Sequence, residues 1–141
     1  MVVDTSVVVA ILTGEPEGVR LAQVLDEATS LQISVASILE ISMVIESRYG
    51  DAARKTFEAW LESTPVEAIV VNRTQVEAAR DGFRRFGKGR HPAALNFGDC
   101  FSYGLARTLG ESLLFRGNDF VKTDVQVAPG SAIPPPVMID G

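Results

Sequence analysis

Apolar residues fall in short unbroken runs that alternate with longer runs broken at helical spacing, and this pattern predicts an α/β protein. Met1 to Asp4 reads as a short buried strand, and Thr5-Ser6 opens a helix ending near Gly14. Pro16 opens a second helix, in which Val19, Leu21, Ala22, Val24 and Leu25 are interrupted by Arg20, Gln23 and Asp26. Gln32 to Ser34 fits another strand, and Ser34 or Ser37 caps a helix that runs to about Arg48. A helix over roughly Ala52 to Glu62, anchored by Phe57, Trp60 and Leu61, stops before Pro65. Val66 to Val71 is the clearest strand. Thr74 to Phe86 is helical, Gly87 to Pro92 is a basic loop, and Asn96 starts a helix reaching Leu109-Gly110. Ser112 to Phe115 and Val125 to Ala128 supply the last strand-like stretches.

Strands alternating with helices imply a short, mainly parallel sheet flanked by helices on both faces and joined by right-handed crossovers. In such open sheets, ligands gather at the carboxyl ends of the strands near a topological switch point. With 141 residues the chain fits one domain, expected over residues 1–128. Residues 129–141 hold four of the seven prolines and are expected to form a loosely ordered extension.

Composition narrows the setting. Hydrophobic residues make up 46% of the chain and mean hydropathy is +0.17, which points to apolar surface committed to subunits or partners. No run approaches the roughly 20 apolar residues a membrane helix needs, and Asp4 interrupts the N-terminal apolar stretch with no basic region before it. The expected setting is cytoplasmic, without membrane contact. A single cysteine, Cys100, excludes an internal disulfide and reads as buried packing beside Phe101 and Tyr103. The net charge of −5 decides little about a polyanionic ligand, because bound metal offsets the acids of a catalytic cluster.

Four acids carry the candidate chemistry: Asp4 at the end of the first strand, Glu40 in an apolar helix, Asp99 and Asp119. Local roles exist for each. Asp4 can cap the helix that follows it, Asp99 stands three residues after a capping Asn96, and Asp119 follows the turn residues Gly117-Asn118. Glu40 is harder to explain locally, because Ile38, Leu39, Ile41, Met43, Val44 and Ile45 leave its helix almost without a polar face. The joint placement of all four near the ligand edge of the sheet is not required by capping or turn chemistry. Converging carboxylates repel one another unless cations neutralise them, so the cluster suggests a divalent-metal site and a metal-dependent nuclease.

The motifs resemble a known family. Asp-Thr-Ser after the first strand, Ala-Ser-Ile-Leu-Glu over 36–40, the stretch Phe-Arg-Arg-Phe-Gly-Lys-Gly-Arg-His-Pro-Ala-Ala-Leu-Asn-Phe-Gly-Asp-Cys over 83–100 and Leu-Leu-Phe-Arg-Gly-Asn-Asp-Phe over 113–120 resemble VapC-type toxins. These are PIN-domain ribonucleases of bacterial toxin–antitoxin pairs. The resemblance runs from Met1 to about Val127. It implies a PIN-like three-layer fold and an endoribonuclease dependent on Mg²⁺ or Mn²⁺. Structured RNA such as tRNA would be the substrate, a VapB-type antitoxin the inhibitor, and a homodimer the assembly. Asp4 and Asp99 match the family's principal metal ligands and Glu40 its third acidic position. Many PIN sequences have aspartate where this chain has Gly117, so Asp119, or else Asp124, has to supply the fourth.

RNA also needs cations. Arg84, Arg85, Lys88, Arg90 and His91 fall within eight residues upstream of Asp99, and Arg116 offers a further phosphate contact. An exposed helix end with a solvated loop explains the run equally well. His91, in the loop before Pro92, has no expected general-base role. A receiver-like domain would need an aspartate after a central strand, where Ile69-Val70-Val71 leads instead into Asn72. A haloacid-dehalogenase-type phosphatase would need one two residues after Asp4, where Ser6 stands. The remaining rival is a catalytically weak or inactive module on the same fold that binds RNA or protein, which Gly117 keeps open.

Overall fold

The computed structural model describes residues 1–135. Its centre is a fully parallel four-stranded sheet of β1 (Val2–Val3), β2 (Leu31–Ser34), β3 (Val66–Ile69) and β4 (Leu113–Leu114), in the order β3-β2-β1-β4. Val2 pairs with Gln32 on one side and with Leu113 on the other. The chain therefore builds outward from β1 to β3, then returns to lay β4 on the opposite side of β1. This reversal creates the switch point between β1 and β4, and Asp4 is the first residue past β1.

Among the described residues six α-helices flank the sheet: α1 (Thr5–Leu12), α2 (Gly18–Glu27), α3 (Val35–Tyr49), α4 (Asp51–Ser63), α5 (Arg73–Phe86) and α6 (Phe97–Leu109). Successive strand side chains point to opposite faces, and the two cores follow from that alternation. Val3 and Leu114 enter a core with Val7, Leu21, Ile41 and Phe57, whereas Val2 and Leu113 enter another with Tyr103, Leu105 and Phe115. The result is the three-layer arrangement expected from the sequence.

Several elements differ from expectation. β3 stops at Ile69 instead of Val71 and lies at the sheet edge with Glu67 and Ala68 exposed, so it is the least buried strand rather than the clearest. The strand expected over Val125 to Ala128 is reduced to a single parallel bridge between Val127 and Leu113. Helix α3 is not buried all round: Ile41 and Ile45 face the core, while Leu39 and Met43 are 61% and 60% exposed. Nothing among the described residues covers that outer face.

The start of the proline-rich tail is packed, in contrast to the loose extension expected from residue 129. Ala132 bonds to Phe115 and Gly117 through its backbone, Ser131 donates to the Ala128 carbonyl, and Ala132 packs on the first core. Residues 136–141 lie outside the described part of the chain.

Asp124 fastens the segment beyond β4 to the helices. Its carboxylate accepts hydrogen bonds from the Tyr103 hydroxyl at 2.8 Å, Arg107 at 2.6 Å and Arg85 at 3.1 Å. Tyr103 is fully buried, so removing its acceptor disturbs a core side chain. Asp124→Ala is expected to destabilise the fold by about 1–2 kcal/mol. The shift of the urea midpoint measures it.

Candidate metal and active site

Asp4 connects β1 to α1. It is the N-cap of α1, with Oδ2 accepting from the Ser6 backbone N–H at 3.1 Å and from the Ser6 hydroxyl at 2.6 Å. Its Oδ1 accepts from the Ser102 hydroxyl at 2.6 Å, and the residue is only 3% exposed. Asp99 lies in the first turn of α6 and completes a capping box. Its carboxylate accepts from the Asn96 N–H at 3.0 Å while Asn96 Oδ1 accepts from the Asp99 N–H at 2.9 Å. Both acids cap helices and both line the same cleft of about 320 Å³. The capping and clustering readings hold together, because the fold brings the amino ends of α1 and α6 to one place.

Glu40 reaches the cleft from the middle of α3. The Glu40 carboxylate lies directly against Gly98 in the first turn of α6, in the space a side chain there would take. The effect on Asp99 is electrostatic. Burial first, then the Asp4 charge, with smaller contributions from Asp119 and Glu40, push the Asp99 carboxyl up to about 7 against the Asn96 hydrogen bond. All three other acids thus act on Asp99.

Asp119 is exposed beyond β4 and contributes through its field, not as a wall of the cleft. Gly117 has φ +123°, a conformation that side chains rarely adopt, so an aspartate at that position would be strained on this backbone. Of the two substitutes considered for that acid, Asp124 is bound to Tyr103, Arg107 and Arg85, whereas the Asp119 carboxylate makes no hydrogen bond among the described residues.

Among the described residues, no three acidic, histidine or cysteine side chains are close enough to cage a cation by themselves. The donor chemistry still fits a hard divalent ion. Asp4, Glu40 and Asp99 offer only oxygen, and the Thr5 hydroxyl, from a residue lining the same cleft, is buried without a hydrogen-bond partner. Mg²⁺ keeps several waters and is commonly held by one or two carboxylates, so a complete protein cage is not required.

The basic residues separate into two groups. Arg84, Lys88 and Arg90 are exposed and make no ion pair among the described residues, and Arg90 lies over the Phe83 ring. Arg85 is bonded to Asp81 and Asp124, and Arg116 is held at the cleft by Glu15 and Glu17, so both are already paired. Such exposed pairs are individually weak. The His91 imidazole is structural, its Nδ1 accepting from the Ala93 N–H. Sequence reasoning missed Ser6 and Ser102 as partners of Asp4. The signals were their spacings, two residues after Asp4 and three after Asp99.

Comparison with known proteins identifies the family and the fold. The PIN domain family model matches residues 1–126. Ribonuclease VapC30 of Mycobacterium tuberculosis is 45% identical over 125 residues, covering 89% of this chain and 95% of that protein. Ribonuclease VapC of Mycolicibacterium smegmatis is 47% identical over 125 residues, covering 89% and 97%. The chain belongs to the PIN-domain family of VapC ribonucleases. Its fold is also that of Mycobacterium tuberculosis VapC20, described as a sarcin-ricin loop cleaving toxin, with TM-score 0.71 at 20% identity over 88% of this chain and 95% of that one. A VapBC2 complex from Rickettsia felis bound to promoter DNA matches with TM-score 0.66 at 13% identity, covering 94% and 96%.

The raised Asp99 carboxyl sets a pH dependence. Because its folded value lies above the ordinary 3.8, this group favours the folded state most below that value, and the contribution is lost as pH rises to about 7. At pH 8 without divalent ions, Asp99→Asn should therefore raise the melting midpoint by about 4 °C, the shift expected of roughly 1 kcal/mol. The difference should vanish near pH 4 when melting curves are compared across pH.

Proposed function

We propose that this chain is the toxin of a toxin–antitoxin pair, an endoribonuclease dependent on Mg²⁺ or Mn²⁺ that hydrolyses phosphodiester bonds of tRNA or other structured RNA and so inhibits translation. The observation that carries this reading is the cleft at the β1 end, where the Asp99 carboxyl feels Asp4, Glu40 and Asp119 together. Relatives 45% and 47% identical bear the name ribonuclease, which supports it.

Asp4 and Asp99 would hold the ion, Glu40 would ligate it or orient the attacking water, and Asp119 would hold a second ion or a water. When bound, the ion supplies positive charge and acidifies water near the scissile phosphate. The chain's own groups do the positioning. Ser6 fixes Oδ2 of Asp4, Asn96 fixes Asp99, and Glu40 stands against Gly98. Arg84, Lys88 and Arg90 supply phosphate contacts upstream of Asp99, with Arg85 and Arg116 joining once RNA competes for their carboxylate partners.

The partner is a VapB-type antitoxin; structural neighbours from Klebsiella pneumoniae, Rickettsia felis and Salmonella typhimurium are toxin–antitoxin or VapBC complexes. The toxin itself is a homodimer. A groove of about 500 Å³ between α5 and α6 is lined by Val76, Ala79, Phe83, Phe97 and Phe101, and Phe97 is 81% exposed at this face. A projecting ring and an apolar recess on one face can satisfy each other across a two-fold axis. An RNA substrate and the lone free Cys100 fit a cytoplasmic setting, and among the described residues no helix is long and apolar enough to cross a membrane.

Purified protein freed of antitoxin should cut RNA with Mg²⁺ or Mn²⁺ and stop with EDTA. Asp4→Asn should slow cleavage by more than about 100-fold, beyond the usual cost of disturbing an outer-shell partner. Cleavage indifferent to both treatments would mark a contaminating nuclease and remove support for the enzyme. Phe97→Asp should convert the dimer to a monomer by light scattering after size exclusion; an intact dimer would exclude this groove as the interface.

A further inference from the structure

We propose that Ser102 is a positioning residue for the hydrolytic site, orienting the Asp4 carboxylate so that Oδ1 stays available to a divalent ion. This rests on the function proposed above and adds to it a residue outside the four acids.

Ser102 is 1% exposed and donates from its hydroxyl to Asp4 Oδ1 at 2.6 Å, across 98 residues of sequence. Hydroxyls inside helices commonly donate back to the carbonyl four residues earlier. Thr13, Ser42 and Thr56 do so in this protein, bonding to Val9, Ile38 and Ala52. Ser102 does not. Its hydroxyl is directed to a carboxylate on another element, and no other side-chain hydrogen bond of Ser102 occurs among the described residues. Its neighbours in α6, Tyr103, Leu105 and Ala106, are core residues, so packing alone gives no reason for a hydroxyl here.

Counting acceptor sites shows what the bond does. A carboxylate has about four lone-pair sites, two on each oxygen. Oδ2 receives both donors of Ser6, whereas Oδ1 receives only Ser102 and keeps one site unfilled. A charge-assisted bond of this length also fixes the side-chain torsion. Ser102 lies one helical turn beyond Asp99, so α6 carries one candidate ligand directly and orients the other through its hydroxyl. The spacing between the two acids is thereby tied to a single rigid element.

The test is direct Mn²⁺ binding to the antitoxin-free full chain, read by electron paramagnetic resonance and calorimetry, alongside thermal melting and RNA cleavage. Ser102→Ala should weaken Mn²⁺ binding by about 10- to 100-fold, the usual cost of removing an outer-shell partner. Ser102→Thr, which keeps the hydroxyl, should retain most of the affinity. Asp124→Ala serves as the stability control, expected to lower the melting midpoint while leaving Mn²⁺ affinity in place. The proposal is overturned if Ser102→Ala binds Mn²⁺ as the wild type does, if a folded Ser102→Thr is as weak as the alanine variant, or if Asp124→Ala loses affinity to the same degree. If Asp4→Asn abolishes binding and Ser102→Ala does not, only the role of Ser102 falls. If the wild type binds no better than Asp4→Asn, the nuclease reading falls with it.

Discussion

Burial of a carboxylate beside other acids in one cleft is the constraint on which the candidate site depends. Asp99 is held near neutrality's edge by burial and by the Asp4 charge, and two further acids add to the strain. Each local device around the cleft supplies a donor to one of these acids. The N-terminal ends of α1 and α6 offer backbone N–H groups, and Ser6 and Ser102 offer hydroxyls. Without such donors the like charge in the cleft is unfavourable. Capping contains it, and a cation would relieve it.

The sheet brings these acids together through one feature of its winding. β4 returns to β1 on the side opposite β2, so residue 4 and the start of α6 meet beside the switch point although 95 positions separate Asp4 from Asp99. Glu40 comes from the other direction, on α3. Cores on both faces of the sheet hold these supports firm, Val3 and Leu114 on one side and Val2 and Leu113 on the other. Asp4, Glu40 and Asp99 sit on helices or at their caps, and Asp119 stands just before the short 3-10 turn Phe120–Lys122.

The acids were legible in the sequence because their types and local settings were unusual: a carboxylate in an apolar helix, and others at strand and helix ends. The order of helices and strands was legible for the same reason, since apolar spacing reports it directly. What pattern reasoning could not supply was the environment of each side chain. Val66 to Val71 is apolar enough for a central strand, yet its place at the edge follows from sheet order, which no local pattern contains. The outer face of α3 looked buried because Leu39 and Met43 are apolar, and only tertiary packing shows them uncovered. Asp81, four residues before Arg85 on α5, was a legible partner for it, whereas Asp124 and the Arg116 partners Glu15 and Glu17 are remote in sequence. Ser102 carried no warning at all beyond its spacing from Asp99.

The two margins of the sheet are treated differently. Residues 126–132 run beside β4 and the residues just after it, bonding at Leu113, Phe115 and Gly117, so these backbone groups are already matched. β3, at the other margin, is four residues long and displays Glu67 to solvent. A short, charged border is a poor template for an incoming strand. Extended peptides therefore find little purchase by lengthening the sheet, and a binding companion has to engage side-chain surfaces of the helices.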